Sequence, residues 1–176
     1  MKRSAASWSL VVGILLMAVT LFAAKPAHAQ FSDQSTPSLS RGWDIRLGIW
    51  VPNSQTARNV EGTIGISGIL ERRVYTAPNY NLLLGLGYNG FGNAYDVPVI
   101  GNIILHHDNL RYGIGAGYSF GKRLDGHGSN GPVIDLIAGY QLTNNVNPIS
   151  VDLRYFFVSG SNNELDGLSV TLGYHF

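Results

Sequence analysis

Cysteine is absent from the 176 residues. Neither disulfide staples nor a thiolate metal site can therefore hold the chain together or carry its chemistry. Charge is scarce too, with Asp, Glu, Lys and Arg making up only 13% of the chain. No basic patch is available to engage a nucleic-acid backbone. Long apolar runs are missing except near the start, where Leu10 to Ala24 follows Lys2 and Arg3 and is interrupted by Lys25 and Pro26. A run of about 15 residues falls short of the roughly 20 a spanning helix needs. Ala27-His28-Ala29 places small residues at the two positions a signal peptidase reads, so residues 1–29 are expected to be a cleaved, helical export signal. Removing 29 of 176 residues leaves 147, and removing Lys2, Arg3 and Lys25 leaves nine basic against eleven acidic residues, a formal charge of −2. Residues 30–40 are polar and read as a disordered periplasmic lead-in, with one domain over residues 41–176.

What is abundant is glycine, 22 residues, together with period-two alternation, which places successive side chains on opposite faces of a strand. The final twelve residues, Leu165 to Phe176, show it well: Leu168, Val170, Leu172, Tyr174 and Phe176 oppose Gly167, Ser169, Thr171, Gly173 and His175. Seven earlier segments repeat the pattern. Trp43, Ile45, Leu47, Ile49 and Val51 oppose Asp44, Arg46, Gly48 and Trp50, and Ile64, Ile66 and Leu70 oppose Thr63, Gly65, Ser67, Glu71 and Arg73. Tyr80, Leu82, Leu84, Leu86 and Tyr88 oppose Asn81, Gly85, Gly87 and Asn89. The segment Tyr95 to His106 is mixed, with Ile100 and Ile104 sharing a face with Asn102 and His106, and with Pro98 removing a ladder donor. Leu110 to Phe120 alternates with Arg111, Gly113, Gly115, Gly117, Ser119 and Gly121. Ile134, Leu136, Ala138, Tyr140 and Leu142 oppose Asp135, Gly139 and Gln141, while Ile149, Val151, Leu153, Tyr155 and Phe157 oppose Ser150, Asp152 and Arg154.

Eight such segments predict an all-β, eight-stranded antiparallel up-and-down transmembrane β-barrel whose apolar face meets lipid. An even strand number puts both termini on one side, expected to be periplasmic. Trp43, Tyr80, Tyr112, Tyr140, Tyr174 and Phe176 then fall at periplasmic ends, and Tyr88, Tyr95, Tyr118, Phe120, Tyr155 and Phe157 at external ends, as two aromatic girdles. Tyr80 to Tyr88 spans about 26 Å of strand, or roughly 20 Å of depth at a tilt of about 40°. A soluble barrel with its apolar face inward is the alternative, but it leaves Gly85, Gly87, Gly113, Gly115 and Gly117 exposed in mid-strand, where glycine only weakens a strand.

The stretch Tyr112-Gly113-Ile114-Gly115-Ala116-Gly117-Tyr118, the Val97-Pro98-Val99 segment and the ending Leu172-Gly173-Tyr174-His175-Phe176 resemble the small eight-stranded outer-membrane β-barrel domains of the OmpA/OmpX/OmpW-like group. The resemblance implies an outer-membrane location, outer-membrane lipid and lipopolysaccharide as surroundings, a monomer, and a C-terminal signal at Tyr174 and Phe176 read by the barrel assembly machinery. It is specific for architecture, and the short external connections here, Pro52 to Val60, Gly90 to Ala94, Gly121 to Gly131 and Ser159 to Glu164, do not carry over roles that depend on long loops.

Asp44, Glu71, Asp135 and Asp152 balance Arg46, Arg73, Arg111 and Arg154 on the lumen face, which predicts a self-neutralised plug in an interior just wide enough for side chains. The functional expectation is a non-enzymatic envelope protein with a plugged lumen. A narrow channel is the alternative, although a pore lining is better served by one sign in excess. A lipid-A-modifying enzyme comes third, resting on the His127-Gly128-Ser129 spacing in a loop with no acid clearly placed to orient the histidine. No catalytic, cofactor or metal residue is assigned. His106 and His107 are adjacent, point to opposite faces and lack further ligands for zinc. Arg72 faces lipid near the periplasmic end, where a long side chain can reach headgroups, and Lys122 and Arg123 are candidates for lipopolysaccharide phosphates.

Overall fold

Alternating β-branched, leucine and aromatic residues, punctuated by short polar turns, leave the backbone one economical solution, which is to pair each strand with the next and close the sheet so that no edge remains. The computed structural model shows that outcome. It describes residues 42–143, 147–161 and 163–176, so the expected export signal and lead-in lie outside the described residues. The strands are β1 (Trp43–Pro52), β2 (Gly65–Thr76), β3 (Tyr80–Gly90), β4 (Tyr95–His107), β5 (Leu110–Lys122), β6 (Gly128–Gln141), β7 (Ile149–Val158) and β8 (Gly167–His175). Each pairs antiparallel with its sequence neighbour, and β1 pairs with β8, giving a closed barrel. The closing seam is completed by reciprocal backbone bonds between Trp43 and Phe176, at 2.7 and 2.8 Å.

Crossing the ladder from Pro52 through Gly167, Phe156, Asp135, Gly115, Asn102, Leu83 and Arg73 returns to the first strand at Gly42, a stagger of ten residues. Eight strands with that stagger tilt by about 40° and enclose an interior that side chains alone can fill. At the end where both described termini meet, β2–β3, β4–β5 and β6–β7 are joined over three, two and seven residues, whereas at the other end β1–β2, β3–β4, β5–β6 and β7–β8 are joined over twelve, four, five and eight. The longer set on the whole lies at the second end, which marks the first end as periplasmic and the second as external. In the two-residue turn, Asp108 takes a positive φ of 54°, a conformation aspartate tolerates.

The faces match the alternation. Leu47 and Leu84 are 63% and 59% exposed, whereas Arg46, Glu71 and Asp152 are 0% exposed, so the molecule is apolar outside and charged inside. A soluble barrel has the reverse arrangement. Four local features depart from the sequence reading. The connection after β1 contains a short helix, α1 (Gln55–Glu61), whose N-cap Ser54 accepts the Ala57 N–H and whose run ends at Gly62, φ 112°. The segment Gly121 to Gly131 is mostly ladder rather than loop, because β5 continues to Lys122 and β6 begins at Gly128. Leu165 precedes β8 and is fully buried under the external connections. Lastly, β2 carries a bulge, since Arg73 pairs with Leu83 but Tyr75 pairs with Leu82. The extra residue, Val74, turns Tyr75 onto the outer face beside Tyr80, with ring centres 5.8 Å apart.

Candidate functional site in the barrel interior

Every second residue of each strand points into a space too narrow for two long side chains at one level, so long and absent side chains interleave. A Cβ on Gly173 would collide with the Arg46 guanidinium, one on Gly139 with the Asp152 carboxylate, and one on Gly115 with the Asn102 amide. These inner-face glycines provide the room in which the charged heads lie.

Glu71 of β2 is the hub. Its Oε2 accepts from Arg46 Nε at 2.7 Å, and its Oε1 accepts from Arg154 Nη2 at 2.6 Å and from Asn102 Nδ2 at 2.7 Å. Arg46 also reaches Asp152 Oδ2 at 2.5 Å and lies 3.5 Å from Asp44 Oδ2, while Arg154 lies 3.6 Å from Asp135 Oδ2. Toward the periplasmic mouth, Arg73 Nη2 donates to Asp44 Oδ1 at 3.1 Å, and Arg111 Nη1 donates to Ser150 Oγ at 2.6 Å with Asp152 Oδ1 3.7 Å away. All eight residues singled out in the sequence are thus brought into one network. The alternation placed His175, Ser150 and Asn102 on this face but did not reveal that they complete it. His175 Nδ1 lies 2.7 Å from Asp44 Oδ1, and its Nε2 lies 3.1 Å from Arg111 Nη1. A proton on Nδ1 satisfies both contacts, with Nε2 as the acceptor.

Apolar side chains fill the rest of the lumen. Leu83, Ile104 and Ile137 cluster on the inner wall of β3, β4 and β6. At the external end, Ile69, Ile100, Val133 and Phe156 pack under Ala94, Val158 and Leu165, with Leu124 against them. The void between Arg154, Phe156, Gly85 and Gly87 measures about 10 Å3, at the threshold for one water. The inward apolar residues Ile69, Leu83, Val133, Ile137 and Phe156 escaped the sequence reading, which described the lumen by its polar members.

The girdle candidates stand on the outer surface. Tyr118 and Phe120 approach to 5.2 Å between ring centres, Tyr155 and Phe157 to 4.5 Å, Tyr88 and Tyr95 to 5.8 Å, and Tyr174 and Phe176 to 6.0 Å. Trp43, Tyr80, Tyr112 and Tyr140 are exposed there as well. The histidine and serine of the His127-Gly128-Ser129 trio do not meet: Ser129 is buried inside β6, whereas the His127 side chain is 78% exposed and 3.3 Å from Asp125. Asp125 also accepts the His127 N–H at 3.0 Å and binds Arg123 at 2.5 Å. The backbone N–H first, and the Arg123 charge after it, hold the Asp125 carboxyl below its ordinary value. His106 bonds Asn81 at 2.8 Å, and no cluster of three metal-ligating side chains occurs among the described residues.

No family model and no curated protein matches the chain. Among solved structures, Neisserial surface protein A superposes with a TM-score of 0.54 at 12% identity, over 80% of this chain and 98% of that one. The attachment invasion locus protein Ail of Yersinia pestis, solved with the heparin analogue sucrose octasulfate, aligns at 13% identity over 77% and 99% with a TM-score of 0.36, too low to bear on the comparison. At such identity a likeness speaks for architecture, and the architecture is that of the small eight-stranded outer-membrane β-barrels.

Proposed function

We propose that this barrel is a non-conducting, non-enzymatic structural component of the outer membrane, surrounded by outer-membrane lipid and lipopolysaccharide and acting as a monomer. The observation that carries the reading is the filling of the lumen. Two arginines share one glutamate at 2.6–2.7 Å in mid-barrel, and an apolar layer built around Phe156 lies above them. A hydrated path needs both obstacles removed. The balance of four acids and four arginines also favours a plug, since a selective lining works through an excess of one sign. The burial of Ser129 away from His127 supports the absence of acyl-transfer chemistry. Tyr174 and Phe176, at the closing seam, are the residues assigned to recognition by the barrel assembly machinery.

Planar-bilayer recording of the purified, folded protein tests the reading. The expected trace is flat, without reproducible unitary steps. Steps that recur across preparations and scale with salt would establish the narrow channel in its place.

A further inference from the structure

Arg72 is out of keeping with its surroundings. Among the described residues it is the one lysine or arginine on the outer face at the periplasmic end of the strands; Lys122 stands at the opposite end, at the tip of β5. Its side chain is exposed, its ladder neighbours are Trp43 and Leu84, and no carboxylate of a described residue pairs with it. The guanidinium carbon sits 5.6 Å from the centre of the Trp43 ring. A guanidinium stacked by its face keeps its edge N–H groups free to donate outward.

A second observation on the same patch is independent of the charge. Unbroken alternation would send Tyr75 into the lumen, but the bulge at Val74 returns it to the outer face, where it pairs with Tyr80. From Arg72 the next outward side chain along β2 is therefore Tyr75. Arg72, Trp43, Tyr75 and Tyr80 form a polar-tipped cluster at headgroup depth, and Leu70 and Leu84, 42% and 59% exposed, continue the surface toward the membrane interior.

We propose that Arg72, seated on Trp43 and flanked by the Tyr75–Tyr80 pair, binds the phosphodiester of an inner-leaflet glycerophospholipid. Arginine's fork matches a phosphate's paired oxygens, the tyrosine and indole tips supply further donors, and the leucines receive the acyl chains. Those leucines distinguish the site from one for free phosphate. The inference rests on the reading of the barrel as membrane-spanning.

The test is native mass spectrometry of the folded protein released from detergent, titrated separately with phosphatidylglycerol, phosphatidylethanolamine, diacylglycerol and inorganic phosphate. The wild type is expected to retain one phospholipid of either headgroup. Arg72→Gln should raise the half-saturating concentration about tenfold, a loss of the size expected for one charge-assisted contact. Arg72→Lys should fall between, keeping the charge but not the fork, and Arg58→Gln, in α1 at the external end, should change nothing. Equal retention of diacylglycerol, or an unchanged Arg72→Gln, would reduce the patch to ordinary apolar annulus. Saturable inorganic phosphate at the same concentrations would make it a free-anion site. Both results overturn the proposal. Heat-modifiable gel mobility reports whether each variant is folded, and the conservative Arg72→Lys preserves the comparison if the glutamine variant fails to fold. Solubility of the folded wild type without detergent would defeat the spanning reading itself, separately from the lipid result.

Discussion

Asp166 lies in the connection ahead of β8, 7% exposed, accepting the Val158 N–H on Oδ1 at 2.7 Å while its own carbonyl accepts the Asn53 N–H at 2.7 Å. One residue thereby ties together the connections that follow β1 and β7. Burial raises its carboxyl above the ordinary value, and the Val158 N–H offsets only part of that. A carboxyl with a raised folded-state value gives up its proton more readily in the unfolded chain, so its contribution to stability is fullest below the unfolded pKa and declines as pH rises toward the folded one. Asp166→Asn keeps the acceptor and removes the ionisation. The expected outcome is a variant at least as stable as wild type at neutral pH, its advantage vanishing below the ordinary aspartate value of 3.8. Asp166→Ala, which orphans the Val158 N–H, should lose about 1–3 kcal/mol at every pH. Denaturant titrations in detergent from about pH 3 to about pH 8 measure both, and setting Asp166→Asn beside Asp166→Ala separates the charge from the acceptor. A neutral-pH loss in the asparagine variant would mean that the carboxylate is held charged. Nothing in the sequence around Leu165-Asp166-Gly167 announced this role, because it depends on the connection after β1 meeting the one after β7 at the closing β1–β8 seam.

Strand β5 shows what an element contributes that single residues do not. Its inner glycines alternate with an outer row of Tyr112, Ile114, Ala116, Tyr118 and Phe120, and a Cβ on Gly117 would collide with the Val99 carbonyl oxygen and come within 2.8 Å of the Ile100 Cα. Since the obstacle is backbone of the paired strand, neither partner can yield without parting the ladder. Gly117→Ala is expected to cost about 1–3 kcal/mol, in the range for overpacking. Gly68→Ala, whose nearest neighbour would be a Leu47 methyl carbon at 3.6 Å on the lipid face, should be close to neutral. Urea unfolding in detergent micelles measures the pair, and equal losses would show that glycine's flexibility, rather than its size, is what β5 uses. The same element explains what was legible beforehand. Period two fixes which side chains share a face, so β1, β5 and β8 could be read almost residue by residue. It does not mark bulges, and nothing in Arg72-Arg73-Val74-Tyr75 signals one. It also misjudged Gly121 to Gly131, because glycine and serine read as turn when they are serving as small inner-face residues. Runs apolar on both faces, such as Tyr155-Phe156-Phe157, hid the lumen's apolar half, since alternation alone cannot say that both sides of a ribbon are dry.

At the scale of the whole molecule, the closed sheet and the lumen network constrain each other. A stagger of ten residues in eight strands sets a narrow interior, a narrow interior excludes water, and dry charges must be paired. Glu71 serves two arginines drawn from strands at opposite ends of the sequence, Arg46 from β1 and Arg154 from β7, so it ties the early strands to the late ones across the lumen. Charged residues at alternate positions identify the members of this network; the partners follow from the stagger, which no local pattern encodes. Truncating the hub leaves both guanidinium groups buried with one carboxylate fewer. Glu71→Ala is therefore expected to destabilise the barrel by about 3–5 kcal/mol, in the range for breaking a buried pair. Replacing two charges of each sign together, with Arg46→Met, Glu71→Leu, Asp135→Asn and Arg154→Met, removes charge and desolvation cost while leaving Asp44 with Arg73 and Asp152 with Arg111, and should be neutral or stabilising by about 1–4 kcal/mol on the same grounds. Guanidinium unfolding followed by tryptophan fluorescence gives both numbers, with Trp50, fully buried at the external end, reporting loss of the core. If this charge-balanced variant instead loses as much as Glu71→Ala, the ion pairs are needed for the barrel to close in its proper register, and their contribution is specificity rather than the relief of one another's charge.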